Sequence, residues 1–85
     1  MHAFDVLGDP VRRRILELLA DGEQASGAIT TIIQREFGIS QPGVSQHLKV
    51  LKEAGLIRGE VDGPRVCYCI EPRALRRLRV LVAGL

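Results

Sequence analysis

No apolar run in this sequence approaches the roughly 18 residues that a membrane-spanning helix needs. The opening Met1-His2-Ala3-Phe4-Asp5 also lacks the basic-then-apolar pattern of a secretory signal. The expectation is a cytoplasmic chain with no membrane partner. Cysteine is scarce: Cys67 and Cys69, two positions apart, make no disulfide framework, which fits a reducing compartment. A strong charge of one sign is missing too. The net charge is +2, and residues 22–70 balance Glu23, Glu36, Glu53, Glu60 and Asp62 against Arg35, Lys49, Lys52, Arg58 and Arg65. The excess of base sits in Arg12-Arg13-Arg14 and in Arg73, Arg76, Arg77 and Arg79. Charge alone therefore gives little support for a nucleic-acid partner. There is no Gly-rich phosphate loop and no Ser/His/Asp or Cys/His arrangement, and the nearby Ser45 and His47 diverge on a helix. An enzyme is not expected, and no cofactor or metal is called for.

What is present is one domain's worth of patterned sequence. The 85 residues are expected to fold as a single domain over 1–85, without repeats or linkers. A core of this size buries only about 60–65% of the surface of the unfolded chain, so help from an oligomer partner is plausible on size alone. A short first helix, about His2–Leu7, is set off by Gly8-Asp9-Pro10. Asp9 is a good N-cap, and Pro10 suits the first helical position because its missing N–H would be unpaired there. Val11, Ile15, Leu18 and Leu19 then form an apolar stripe that stops at Asp21-Gly22. The arginine triplet lies mostly off that stripe, either as a solvated face or as a phosphate contact.

Ser26 is expected to cap a third helix through about Phe37, with Ile29, Ile32, Ile33 and Phe37 apolar and Gly38 as the C-cap. Ser40 can cap a fourth, with Pro42 in its first turn and Val44, Leu48 and Leu51 facing the core; it ends at Gly55. Leu56-Ile57 begins a strand, Val61-Asp62-Gly63-Pro64 turns, and Arg65–Ile70 returns, with Val66, Tyr68 and Ile70 on one face and Arg65, Cys67 and Cys69 on the other. Glu71-Pro72 breaks the strand, and Ala74–Leu85 closes the chain as a helix. The fold class is mainly α with a two-stranded β-hairpin wing, in the order α-α-α-α-β-β-α. Two helices joined by a short glycine-containing turn and followed by a hairpin read as a winged helix-turn-helix.

A helix that reads DNA must bury one face and offer short polar side chains on the other, near its N-terminus, to base edges in the major groove. With Val44, Leu48 and Leu51 inward, helical phase sets Ser45, Gln46, Lys49 and Lys52 outward. Gln41 sits at the start, and Gly43 would let the backbone come close to DNA. Gln46 or Gln41 can pair with adenine, Ser45 can donate to a base or phosphate, and Lys49 and Lys52 suit phosphates. Ser40 lies at the helix N-terminus, itself an anion-attracting end. His47, beside the core stripe, reads as a half-buried, hydrogen-bonded ring at the edge of that face rather than a metal ligand. Arg65 at the wing tip and Arg58 at the ribbon's base are candidates for the minor groove or its flanking phosphates.

Val6-Leu7-Gly8-Asp9-Pro10-Val11-Arg12-Arg13-Arg14-Ile15-Leu16, Ser40-Gln41-Pro42-Gly43-Val44-Ser45-Gln46-His47-Leu48-Lys49-Val50-Leu51 and Gly55-Leu56-Ile57 resemble the ArsR/SmtB repressors. Gly63-Pro64-Arg65-Val66-Cys67-Tyr68 looks like the wing that follows in them. The resemblance implies a homodimer paired through its first and last helices, with Phe4, Leu7, Leu75, Leu78, Val82 and Leu85 at the interface. It also implies an inverted-repeat operator on double-stranded DNA and repression by promoter occupancy, often of the protein's own gene. Metal-sensing members carry cysteines on the helix before the turn, or histidines and acids on the last helix. Here Ala28–Phe37 has no Cys, His or Asp, and Glu71–Leu85 has no histidine and only Glu71. The chain is thus more similar to the compact, metal-independent, SdpR-like autorepressors of that family. Two alternatives stand beside this reading. One is a winged helix that docks a protein, kept open by the neutral charge of residues 22–70 but short of aromatic anchors on its outward helix face. The other is a thiol- or metal-responsive repressor using Cys67 and Cys69, with His2 of a partner subunit as the spare nitrogen.

Overall fold

The computed structural model describes residues 6–76. The expected first helix therefore falls mostly outside the described residues, as does most of the last. Phe4, Leu78, Val82 and Leu85 lie outside them. Helix α1 spans Pro10–Ala20, β1 Gln24–Ala25, α2 Ser26–Phe37, α3 Gln41–Glu53, β2 Ile57–Asp62 and β3 Arg65–Ile70.

Local chemistry starts and stops these elements. Asp9, in an extended conformation, accepts hydrogen bonds from the backbone N–H groups of Val11 (2.8 Å) and Arg12 (3.3 Å), and Pro10 opens the helix. Along α1 the buried positions are Val11, Ile15, Leu16 and Leu19. Leu16 thus joins the expected stripe, while Leu18 is only partly buried at its border. Gly38, at φ 68°, donates its N–H to the Gln34 carbonyl at 2.9 Å and ends α2 in the left-handed conformation that glycine adopts without strain. Only Ile39 and Ser40 then separate it from α3. Ser40 accepts from the Gly43 N–H at 3.2 Å, so the turn and the cap are made by adjacent residues.

Two details differ from the sequence reading. Ser26 is not a cap but the first residue of α2; Ala25 holds the cap position, with no side-chain hydrogen bond. The reason is the second difference. Gln24 and Ala25 form a short strand paired with Tyr68 and Cys67 of β3, so the backbone is extended up to Ala25 and the helix begins immediately after it. The wing is consequently part of a three-stranded antiparallel sheet in the order β1-β3-β2. Its hairpin register pairs Ile57 with Ile70 through to Asp62 with Arg65, across a two-residue Gly63-Pro64 loop in which Gly63 has φ 61°. A positive φ at the first loop position suits the right-handed twist of the strands it joins.

The core is one apolar cluster drawn from every helix and from the base of the hairpin. It contains Val6, Val11, Ile15, Leu16, Leu19, Ile29, Ile33, Val44, Leu48, Leu51, Leu56, Ile57 and Ala74, with Tyr68 and Ile70 packed against its edge. Residues 72–76 are helical, two positions earlier than expected, with Pro72 in the first turn. The Glu71 N–H donates to the Leu56 carbonyl at 2.9 Å, and Ala74 is buried. Residues 72–76 are thereby docked beside the start of the hairpin.

Candidate nucleic-acid interface

Helix α3 is anchored on one side by Val44, Leu48 and Leu51, all buried. The same 3.6-residue period leaves Gln41, Ser45, Gln46, Lys49 and Lys52 exposed, as helical phase required. Ser40 is exposed at the N-terminal end, where its hydroxyl is already engaged as the cap. At Gly43 a β-carbon would face back toward Ser40 Oγ at 3.4 Å and Ile39 Cβ at 3.6 Å, so its missing side chain looks into the turn.

His47 is partly buried at the border between the two faces, and its Nδ1 accepts a hydrogen bond from Arg12 Nε at 3.2 Å. Arg12 is also within 3.8 Å of Asp9 Oδ2. The arginine triplet is thereby divided. Arg12 faces α3, and Arg14 makes a two-pronged contact with Glu36 through Nε (2.8 Å) and a terminal nitrogen (3.0 Å), with Glu17 beside it at 3.3 Å. That contact holds the Glu36 carboxyl below its usual range, chiefly through the hydrogen bond from Arg14. Arg13 alone of the three is exposed and makes no ion pair among the described residues. The contacts of Arg12 and Arg14 span 35 and 22 residues, so no local spacing in the sequence announces them.

The wing presents its two arginines with acids attached. Arg58 lies 3.4 Å from Glu60 Oε1 and 3.3 Å from Cys69 Sγ, and Arg65 lies 3.8 Å from Asp62 Oδ2. All four charged side chains are at least half exposed. Cys67, opposite Ala25 and Glu60 in the sheet, is buried by the added strand β1. Burial raises its thiol pKa, and the neighbouring Glu23 carboxylate raises it further, which disfavours the thiolate that metal binding or thiol chemistry requires. Among the described residues no three His, Cys, Asp or Glu side chains cluster as a metal site; His2 lies outside them. Leu7 is partly buried against the core, and Leu75 is 40% exposed at the other edge of the described chain.

A family profile described as "Helix-turn-helix domain" matches residues 7–60. The chain is 43% identical to the HTH-type transcriptional regulator Rv2034 of Mycobacterium tuberculosis, over 92% of this chain and 69% of that protein. It is 35% identical to the transcriptional repressor SdpR of Bacillus subtilis, over 88% of this chain and 79% of that one. Among solved structures, a possible transcriptional regulator for arsenical resistance superposes with a TM-score of 0.77 at 38% identity, covering 94% of this chain and 79% of the other. The homodimeric winged helix-turn-helix DNA-binding domain of a possible ArsR-family regulator from Mycobacterium bovis gives 0.77 at 34% identity, covering 95% and 71%. This chain, with its glycine-ended α2, serine-capped α3 and hairpin wing, belongs to the ArsR/SmtB family of winged helix-turn-helix transcriptional regulators, a class of DNA-binding proteins rather than enzymes.

Proposed function

We propose that the protein is a homodimeric repressor that reads an inverted-repeat operator, in which each protomer lays α3 in the major groove and brings its wing to the flanking backbone. The observation that carries this reading is the division of α3 into a buried stripe and an exposed polar face with no aromatic residue and two lysines. On that face Gln46 and Gln41 are assigned to base edges, and Ser45 to a base or phosphate. Lys49 and Lys52 are assigned to phosphates, with Arg58 and Arg65 at the wing. Ser40 and the first turn of α3 supply the helix N-terminus; Gly43 shapes the turn that aims it. A two-fold dimer would set two such helices about 34–36 Å apart, one turn of DNA. The homodimeric Mycobacterium bovis domain and the repressor SdpR support the assembly and the mode of action by similarity. Phe4, Leu7, Leu75, Leu78, Val82 and Leu85 are assigned to the dimer contact.

The test is an anisotropy titration against duplexes selected from random-sequence DNA, at two salt concentrations. Tight binding that beats competitor DNA and falls steeply with salt is expected. Binding that is absent, or indifferent to salt, would shift the assignment to a winged helix that docks a protein. Gln46→Ala should cost about 1–3 kcal/mol on the selected site and relax specificity there, while Lys49→Ala should weaken all DNA alike. Wild-type behaviour of both variants would show that α3 is not the reading face.

A further inference from the structure

We infer that Arg12, a residue of α1, is a positioning residue for DNA recognition: it fixes the proton of His47 on Nε2 and so presets a donor for an operator phosphate. The inference rests on the reading of α3 proposed above and assigns a role to a residue outside that helix. A guanidinium has donors and no acceptor, so the 3.2 Å contact between Arg12 Nε and His47 Nδ1 requires an unprotonated Nδ1. The remaining proton of the neutral ring then sits on Nε2, because the bond made by one ring nitrogen sets the state of the other. Arg12 is itself held in place. Its side chain is only 20% exposed, its backbone N–H donates to Asp9 Oδ1, and its guanidinium lies 3.8 Å from Asp9 Oδ2.

Nε2 has no hydrogen-bond partner among the described residues, and no unpartnered polar side-chain atom among them is buried, so Nε2 reaches the surface. His47 follows the exposed Gln46 along α3 and lies at the border between the helix's buried and exposed positions. A donor at the margin of a helix seated in the major groove meets the phosphate backbone rather than the base edges. Because the ring is already oriented by Arg12, it loses little freedom when it donates.

The first test reads the tautomer directly. Two-bond proton–nitrogen spectra of the full chain, labelled at histidine nitrogen and recorded near pH 8, should show His47 protonated at Nε2, with assignment by the loss of its signals in His47→Gln. In Arg12→Ala that preference should relax toward a mixture. A proton on Nδ1 in the wild type, or unchanged nitrogen shifts in Arg12→Ala, overturns the inference.

The second test is a double-mutant cycle against the selected operator duplex. The amide nitrogen of glutamine carries its protons whatever its neighbours, so it does not need Arg12 to set a tautomer. Arg12→Ala should weaken binding roughly tenfold when residue 47 is histidine and by under about threefold in the His47→Gln background. Equal losses in both backgrounds would mean that Arg12 acts without His47 and would overturn the inference while leaving the DNA reading intact. A wild type that binds no selected duplex overturns both. Should Arg12→Ala fail to fold, Arg12→Met keeps the apolar stem and removes the donor, and the same cycle applies.

Discussion

Two glycines of this chain meet their neighbours in different ways, and the difference is measurable. A β-carbon at Gly43 would make ordinary contacts with Ser40 and Ile39, and the position is helical with no positive φ. Gly43→Ala should therefore stabilise the fold by about 0.5–1 kcal/mol, through the lower entropy of the unfolded chain. A denaturant titration would check this, and a loss would mean that the turn is tighter than its contacts indicate. At Gly59 a β-carbon would lie 3.1 Å from the ring of Tyr68, its cross-strand partner, and 3.6 Å from Val66. Tyr68 packs against the edge of the core, so moving its ring aside would give up some of that contact. Gly59→Ala should destabilise by roughly 1 kcal/mol by overpacking, and a neutral result in the same titration would show that the ring swings aside.

At the scale of elements, α1 and the C-terminal end of α2 are clamped by Arg14 and Glu36. The folded Glu36 carboxyl titrates below its unfolded value, so its contribution is present above the unfolded range and disappears as pH falls through the folded value. The difference in melting temperature between wild type and Glu36→Gln should thus close on acidification from about pH 7 to about pH 3. A constant difference over that interval would assign the effect of the substitution to something other than the ion pair. Helix α3 was legible in the sequence because each determinant is local: Gly38, Ser40, Pro42 and a stripe at i, i+4 and i+7. Strand β1 was not, because two residues of no marked β-propensity become a strand only when β3 lies beside them. Ser26 was misread for the same reason, since the strand fixes where the helix starts. The exposed candidates on α3 followed from phase alone. The anchoring of His47 by Arg12, and the acids paired with both wing arginines, depend on tertiary geometry that spacing does not report.

For the whole molecule, the consequence is an uneven distribution of available positive charge. Lys49 and Lys52 are exposed on α3 and make no ion pair among the described residues, whereas Arg58 and Arg65 are partly neutralised by Glu60 and Asp62. Lys49→Ala should reduce the dependence of log K on log salt by about 1, and Arg65→Ala by clearly less. Titrations at four or five salt concentrations would resolve the two, and equal reductions would mean that Arg65 leaves Asp62 for DNA. The proposed dimer has its own test. Leu78→Asp, beyond the described residues, should sediment as a monomer and hold only half-sites weakly; an intact dimer would remove the last helix from the interface.

Among the described residues, the sheet order β1-β3-β2 leaves one side of β2 without a neighbouring strand. Such an edge is a row of free backbone donors and acceptors onto which another chain can add. In a dimer on DNA, every bound operator would bring two of these edges to the same duplex, and adjacent operators would bring more. Along β2 the side chains at alternate positions are Arg58, Glu60 and Asp62, and desolvating them against a second strand would be costly. The acids that pair with the wing's arginines would then serve a different end, keeping crowded repressors from zipping together edge to edge.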